Sequence, residues 1–399
     1  MAAVRRLLLL VAVLVAVDTM LYAALTPLLP HFATEFGLSK GRAGVLVAAY
    51  AAGALVFGLP GGVAAVRFGA RRAVLIGLTL MGLSSLGFAF VGSFWGLFAA
   101  RFIQGAGSAF TWAGALAWLL AVAPKERRGE LLGTAMGAAV FGALFGPVIG
   151  ALAALLGRSV VFTALSALAV VLGAWAFRLE DAPAEEPSRP ALAAAMRNRS
   201  FILGLVLMTL PALLFGILSV LGPLHLSDAG WGAAAIGGVW LVAAALESIE
   251  GPLVGRLVDR RGSMVPVRIS LAVGTVLSVA LAFGGRPVVY VPLLVSASLA
   301  YAMLFTPAFA LLADGADAVG LAQGMAFGLM NAAWATGAVL GPAAGGAIAG
   351  ATGDIVPFLL AAVLCAGALV AVRPRSEHEG VVAVRVDRLP SDTARIGRE

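Results

Sequence analysis

The sequence has few of the residues that build metal sites and disulfides. Among 399 residues there is one cysteine, Cys365, so no disulfide can form within the chain and no cysteine cluster can hold a metal. The three histidines, His31, His225 and His378, are far apart in the sequence. We therefore expect neither a metal nor a cofactor.

Charged residues are also scarce. Only 12% of the residues are charged and 61% are hydrophobic, whereas soluble domains carry roughly 25% charged residues. A surface of this composition cannot face water. Apolar segments follow one another from Leu7 to Val372, and a bilayer crossing needs about 20 such residues. The sequence therefore predicts an all-α integral membrane protein with the lipid bilayer as its solvent.

The apolar segments predict twelve transmembrane helices. In the first half they cover residues 7–30, 43–66, 73–91, 95–121, 131–156 and 160–177. In the second half they cover 201–223, 234–257, 265–284, 288–312, 322–349 and 355–372. Because twelve is even, both termini are expected on the same side of the membrane.

Basic residues indicate which side that is. The formal net charge is +7, but the arginines form short clusters between apolar runs, which indicates membrane topology and not a nucleic-acid partner. The great majority of them fall in alternate loops, and the positive-inside rule makes those loops cytoplasmic. We expect a multi-pass protein of a bacterial cytoplasmic membrane with cytoplasmic N- and C-termini.

The chain divides into two similar halves. At one constant offset, without a gap, Pro30 aligns with Pro223, Gly37 with Gly230 and Gly69 with Gly262. We predict a six-helix bundle over 1–178, a polar cytoplasmic linker over 179–199, a second bundle over 200–372 and a disordered tail over 373–399. Two repeats facing one another are typical of transporters that open a midplane site to either side in turn.

The fourth predicted helix carries the most specific motif. It contains Arg101 inside an apolar span, where a permanent charge is costly unless it has a partner. The full pattern reads Leu97-x-x-x-Arg101-x-x-Gln104-Gly105-x-Gly107-x-Ala109. This motif resembles the helix-four arginine motif of the major facilitator superfamily, and in particular of its twelve-helix drug:proton antiporters. The resemblance implies a proton-coupled transporter of small molecules, and we expect a monomer that is not an enzyme.

The fifth helix adds a motif of small residues. Gly142, Gly146, Pro147 and Gly150 lie at helical spacing, which lets helices approach closely. The pattern resembles the signature that exporters of this family carry, although Gly341-Pro342 repeats it in the second half. Ordinary close packing is therefore the alternative to a role in gating.

The loop after helix two departs from the family pattern. Arg67 and Gly69 remain, but Val66 occupies the position where the family has an aspartate. The equivalent loop of the second half keeps the acid, in Asp259-Arg260-Arg261-Gly262. A gating role for the loops at Arg67 and Gly69 and at Asp259, Arg260 and Gly262 is the hypothesis, and simple anchoring at the membrane surface is the alternative.

Acidic residues inside the membrane are the candidate proton carriers. Asp18 lies mid-helix and precedes the prolines Pro27 and Pro30, which resemble the helix-one motif of the family. Its depth makes Asp18 a functional candidate, and we expect Arg101 to be its charge partner. Glu247 and Glu250 lie on one face of the eighth helix and are further proton-coupling candidates. Glu250, which is nearer the cytoplasm, has the alternative of pairing with loop arginines.

Four uncharged residues are candidates to line the substrate cavity: Tyr50, Gln104, Asn331 and Trp334. Together these features predict an exporter of small lipophilic compounds that exchanges them for protons by alternating access. An exporter or symporter of a sugar or another metabolite is one alternative. A membrane sensor without transport activity is another, and such a sensor would need neither Asp18 nor Arg101.

Overall fold

The computed structural model describes residues 2–123, 128–181, 189–321 and 323–372. All secondary structure within these ranges is helical. The first half contains α1 Ala2–Ala23, α2 Leu29–Glu35, α3 Lys40–Phe68, α4 Ala70–Phe90, α5 Phe94–Val122, α6 Arg128–Leu156 and α7 Arg158–Phe177. The short α8, Arg189–Ala195, comes next. The second half contains α9 Arg199–Asp228, α10 Ala233–Arg261, α11 Met264–Phe283, α12 Pro287–Ala302, α13 Phe305–Asp317, α14 Gln323–Thr352 and α15 Ile355–Ala371.

Eleven helical segments of the described chain are long and apolar enough to cross a membrane. The predicted twelfth crossing corresponds to α15, a shorter apolar helix of 17 residues. At 1.5 Å per residue α15 is about 26 Å long, slightly less than a hydrocarbon core of about 30 Å. The structure therefore supports eleven spans, and the count of twelve depends on α15.

Two of the predicted helices are interrupted. The helix predicted over 7–30 ends at Ala23 and continues, after a 3₁₀ turn at Thr26–Leu28, as α2. Pro27 lies in that turn, and its missing N–H cannot continue the α-helical ladder. The helix predicted over 288–312 is likewise divided between α12 and α13.

The internal repeat is visible in the backbone. Gly69 and Gly262, which the constant offset aligns, follow α3 and α10 with φ of 91° and 77°. Residues with a side chain rarely adopt this left-handed conformation, so glycine is needed at both turns. The aligned pair Gly37 and Gly230 also has positive φ.

The packing of the helices repeats as well. α1 lies along α6 in the first half, and α9 lies along α14 in the second. The Thr19 hydroxyl donates to the Ala139 carbonyl across the first pair, and the Thr209 hydroxyl donates to the Ala333 carbonyl across the second. Both hydrogen bonds join a helix to the one four spans later.

The halves contact each other through α3 with α14 and through α6 with α10. At one end of the bundle the contact is close: Gly44 abuts the Pro342 carbonyl, and Gly237 lies against Pro147. An ion pair between Lys40 and Asp354 joins the halves at the same end. We call this the closed end.

At the other end the same helix faces are apart. Gly62 lies about five helical turns after Gly44 on one face of α3. Gly255 is related to Gly237 in the same way, and Gly328 precedes Gly346 by the same interval on α14. A Cβ added at Gly62, Gly255 or Gly328 would have no neighbour within 4 Å, whereas one at Gly346 would meet α3. The halves are therefore separated at this end, which we call the open end.

The tail predicted over 373–399 lies outside the described residues, as does 182–188 within the linker predicted over 179–199.

Candidate transport site

Asp18 is buried where α1, α3 and α5 meet, with 2% of its surface exposed. Three side chains donate hydrogen bonds to its Oδ2 atom: the Tyr50 hydroxyl at 2.9 Å, the Ser108 hydroxyl at 2.9 Å and the Trp112 indole at 2.6 Å. Its Oδ1 atom is also buried and has no hydrogen-bond partner in the described part of the chain. The acid therefore has one fully engaged oxygen and one that can carry a proton or accept a further donor.

The prediction of an ion pair between Asp18 and Arg101 is wrong, because their charged groups make no direct contact. Arg101 is buried, with 2% of its surface exposed, and donates to the carbonyls of Leu21 and Tyr22 at 2.9 and 3.1 Å. Because α1 ends at Ala23, these carbonyls belong to its last turn, where the helix dipole favours a cation. Arg101 therefore caps α1.

Tyr50 links the two charged groups. Its hydroxyl binds Asp18, and the guanidinium of Arg101 lies 5.0 Å from the centre of its ring. This distance is within the range of a cation–π contact. The acid and the arginine are thus coupled through one aromatic side chain.

Gln104 is part of this buried network. Its Oε1 accepts from Arg101 at 2.7 Å, and its Nε2 donates to the Ser85 hydroxyl at 3.3 Å. The side chain is only 1% exposed. The buried amide therefore holds Arg101 and Ser85 and presents almost no surface to a cavity, contrary to its expected role in the cavity lining.

The network reaches the second half through aromatic rings. Tyr22 lies 5.1 Å from Tyr50 and 5.3 Å from Trp334 of α14, measured between ring centres. Trp334 and Asn331 are half-buried on the same helix. The structure thus brings Tyr50 and Trp334 together around Tyr22.

Sequence reasoning missed Tyr22, Ser108 and Trp112. A signal for the last two was present, because residues 101, 104, 108 and 112 follow one face of α5 at helical spacing. Tyr22 lies one turn after Asp18 on α1 by the same rule.

The glycines of the motifs allow this arrangement. A Cβ on Gly105 would collide with the Tyr50 backbone, so this glycine lets α5 lie directly against α3. Cβ atoms on Gly142, Gly146 and Gly150 would meet residues between Ala16 and Pro27 of the first span. Pro147 lies against Gly237 of α10. The helix-five motif therefore packs on α1 and contacts the second half.

Glu247 and Glu250 form a separate group on α10. The Ser298 hydroxyl of α12, which donates to the Val295 carbonyl at 2.9 Å, lies beside Glu247. Both glutamates are half-buried. The hydrogen bonds that hold Asp18 involve neither of them in the residues described.

An aspartate from outside the first loop caps α4, the helix that follows this loop. Oδ1 of Asp181, after the end of α7, accepts from the Arg71 amide at 3.2 Å in the first turn of α4. Its Oδ2 lies 3.8 Å from the Arg71 side chain. Arg67, Asp259 and Arg260 are exposed at the open end. Asp181 thus provides a carboxylate beside the loop in which Val66 replaces the aspartate of the family pattern.

The sequence matches the family model of the Major Facilitator Superfamily over residues 8–325. The chain belongs to this superfamily. Among its relatives are the uncharacterized MFS-type transporters YcaD of Escherichia coli strain SE11 and of Shigella sonnei. Each is 26% identical over 266 residues, which cover 66% of this chain and 69% of the relative. This chain is therefore a multi-pass membrane protein of a transporter family.

Solved structures share the fold. A D-xylose–proton symporter superimposes with a TM-score of 0.73 at 15% identity, over 93% of this chain and 97% of that one. The nucleoside transporter NupG gives 0.70 at 17% identity, over 92% and 98%. At these identities the likeness establishes the architecture only.

Proposed function

We propose that this protein is a proton-coupled secondary transporter that exports small lipophilic compounds, with Asp18 as its proton carrier. The observation that carries the proposal is the burial of Asp18 without a cation bound to it. It is buried at the meeting point of three spans without a directly bound cation among the described residues, and only one of its oxygens is hydrogen bonded there.

A charged carboxylate inside a membrane protein is costly and is retained where function needs it. Three donors on Oδ2 offset part of that cost while Asp18 is ionised. A proton on Oδ1 would leave the three donors in place and remove the charge. Asp18 can therefore change its charge with little rearrangement of its neighbours.

The transport cycle we propose is alternating access between two six-helix bundles, 1–178 and 200–372, with α15 as the twelfth span. The structure has contacts between the halves at the closed end and separated faces at the open end. The arginine distribution favours a cytoplasmic position for the open end and for both termini. We further propose that the protein is a monomer in a bacterial cytoplasmic membrane. Glu247 and Glu250 are proposed as a second proton site.

The substrate class follows from the groups around Asp18. The half-buried rings of Tyr22 and Trp334 suit flat apolar molecules and organic cations. A sugar would need several free amides and hydroxyls, but Gln104 is already engaged at both ends. Aromatic or lipophilic compounds are therefore favoured, and the helix-five motif favours export.

The test is substrate-evoked proton movement in liposomes that contain the purified full chain. We would impose a pH gradient, record lumenal pH, and add a lipophilic cation, a neutral antibiotic, D-xylose or uridine. Wild type, Asp18→Asn and Glu247→Gln are compared with Asp228→Asn, which removes an exposed acid at the closed end.

We expect a lipophilic compound to evoke proton flux in wild type and Asp228→Asn, and Asp18→Asn to abolish it. Flux that persists in Asp18→Asn at the wild-type rate would contradict the proposed carrier. Flux evoked only by xylose or uridine would replace the substrate class. No flux with any compound would favour a sensor without transport activity.

A further inference from the structure

A cavity lies at the closed end, between the halves. Its volume is about 430 Å³, within the range of sites that bind small organic molecules. The first half contributes the turn and helix after α1, the end of α6 and the start of α7, including Pro27, His31, Phe32 and Arg158. The second half contributes the connection between α9 and α10, including Ser227 and Trp231.

The charge of its wall is of one sign. Arg158 lines the cavity, and no aspartate or glutamate is among the lining residues in the described part of the chain. The only other titratable residue of this lining is His31, whose side chain is 65% exposed and lies 3.5 Å from Glu35 outside the cavity. The fixed charge at this cavity is therefore the positive charge of Arg158.

That charge is only partly compensated. Nη2 of Arg158 donates to the Val91 carbonyl at 2.8 Å, and the guanidinium lies 5.4 Å from the centre of the Phe32 ring. Nη1 is buried and has no acceptor among the residues described. Because Arg158 lines the cavity, is only half-buried and has no bound carboxylate among the residues described, its guanidinium is a ready partner for a carboxylate that enters there.

Most of the remaining wall is apolar, with the Thr34 and Ser227 hydroxyls as its small polar groups. Phe32, Leu28 and the prolines of the first span lie on one side, and the Trp231 ring lies on the other. Such a wall binds a flat hydrocarbon body, while the arginine fixes the position of an anionic group.

We infer that this cavity is a binding site for small aromatic carboxylates, separate from the site at Asp18, and that its occupant holds the closed end together. Both halves contribute walls, so the complete site exists only while they are in contact. A ligand that binds one conformation alone increases its population by its differential affinity. An occupant therefore restrains the transporter in the state described here. The inference is independent of the proposed substrate and proton carrier, because it concerns binding at the closed end and does not involve Asp18.

The test measures binding, so it does not need transport. The purified full chain in detergent is dialysed to equilibrium against 2-naphthoate or its uncharged analogue 2-naphthamide, with protein-free micelles as the blank. Variants are Arg158→Gln, Arg158→Lys and, as a matched control, Arg286→Gln, which removes an exposed arginine outside the cavity.

Wild type, Arg158→Lys and Arg286→Gln are expected to bind naphthoate in preference to naphthamide. Arg158→Gln should bind naphthoate roughly ten- to a hundred-fold more weakly, the value of one hydrogen bond to a charged group. If Arg158→Gln does not fold, the amide and Arg158→Lys still test the charge requirement. Equal binding of naphthoate and naphthamide by wild type, or undiminished binding by Arg158→Gln, would overturn the inference.

Discussion

The Tyr50 hydroxyl offers a way to measure whether Asp18 is ionised in the folded protein. Tyr50→Phe removes the donor 2.9 Å from Asp18 Oδ2 and keeps the ring that contacts Arg101 and Tyr22. The Ser108 and Trp112 donors remain. The substitution therefore tests one hydrogen bond with little change in packing.

The second half contains a matched control. Tyr301 is also buried, and its hydroxyl lies 2.7 Å from the Ser278 hydroxyl, an uncharged partner that keeps a bond to the Gly274 carbonyl. Tyr301→Phe thus removes a hydrogen bond between neutral groups from an equally buried tyrosine.

The two substitutions should differ if the acid is ionised. A hydrogen bond to a charged group contributes about 1.5–3 kcal/mol, and one between neutral groups about 0.5–1.5 kcal/mol. With the average unfolding entropy per residue, a change of 1 kcal/mol in the free energy of unfolding shifts the Tm of a 399-residue chain by roughly 1 °C. Tyr50→Phe is expected to lower Tm by about 2–4 °C and Tyr301→Phe by about 1 °C.

The assay is thermal unfolding of detergent-purified protein at mildly alkaline pH, in the wild-type and Asp18→Asn backgrounds. With asparagine at position 18 the acceptor is neutral, so Tyr50→Phe should cost about as much as Tyr301→Phe. Equal Tm shifts for the two tyrosines in the wild-type background, unchanged by Asp18→Asn, would refute an ionised Asp18 that holds Tyr50.

Two further predictions concern the helix contacts. Gly146→Ala should lower the free energy of unfolding by about 1–3 kcal/mol, because its Cβ would meet Ala23 of α1. The control is Gly137→Ala, on an open face of the same helix, which should be neutral or stabilising in the same thermal assay. A Cβ on Gly41 would lie 3.4 Å from the Ala347 Cα across the closed end, so cysteines at these two positions are close enough for a disulfide. In a Cys365→Ala background, oxidation of the Gly41→Cys, Ala347→Cys protein should stop substrate-evoked proton flux, and reduction should restore it. Full transport by the oxidised, cross-linked protein would show that the closed end need not open.

Much of the architecture follows from local properties of the sequence. Hydropathy depends only on which residues are adjacent, so it identifies eleven spans of the described chain and the shorter α15. The internal repeat predicts the paired turns at Gly69 and Gly262, and the structure confirms positive φ at both. The motif around Arg101 points to the superfamily that the family model then matches.

The candidate site depends on how the helices are arranged in space. The three donors to Asp18 lie 32, 90 and 94 residues away from it in sequence. Their convergence depends on how closely α5 approaches α3 at Gly105, and hydropathy does not encode that distance. Because α1 ends before Pro27, the Leu21 and Tyr22 carbonyls are left free to accept from Arg101. This is why the direct Asp18–Arg101 ion pair, which was inferred from depth alone, was wrong.

Composition and residue spacing are enough to predict an integral membrane protein built from two repeats, because so large an apolar fraction cannot all be buried away from water. The packing of the helices was needed to learn that Asp18 has three neutral donors and, among the residues described, no directly bound cation. It was also needed to find Asp181 beside the first loop, where the family has an aspartate in the loop itself. Hydrogen bonds and ion pairs require a separation of a few ångströms, and helix packing sets that separation between residues far apart in the chain.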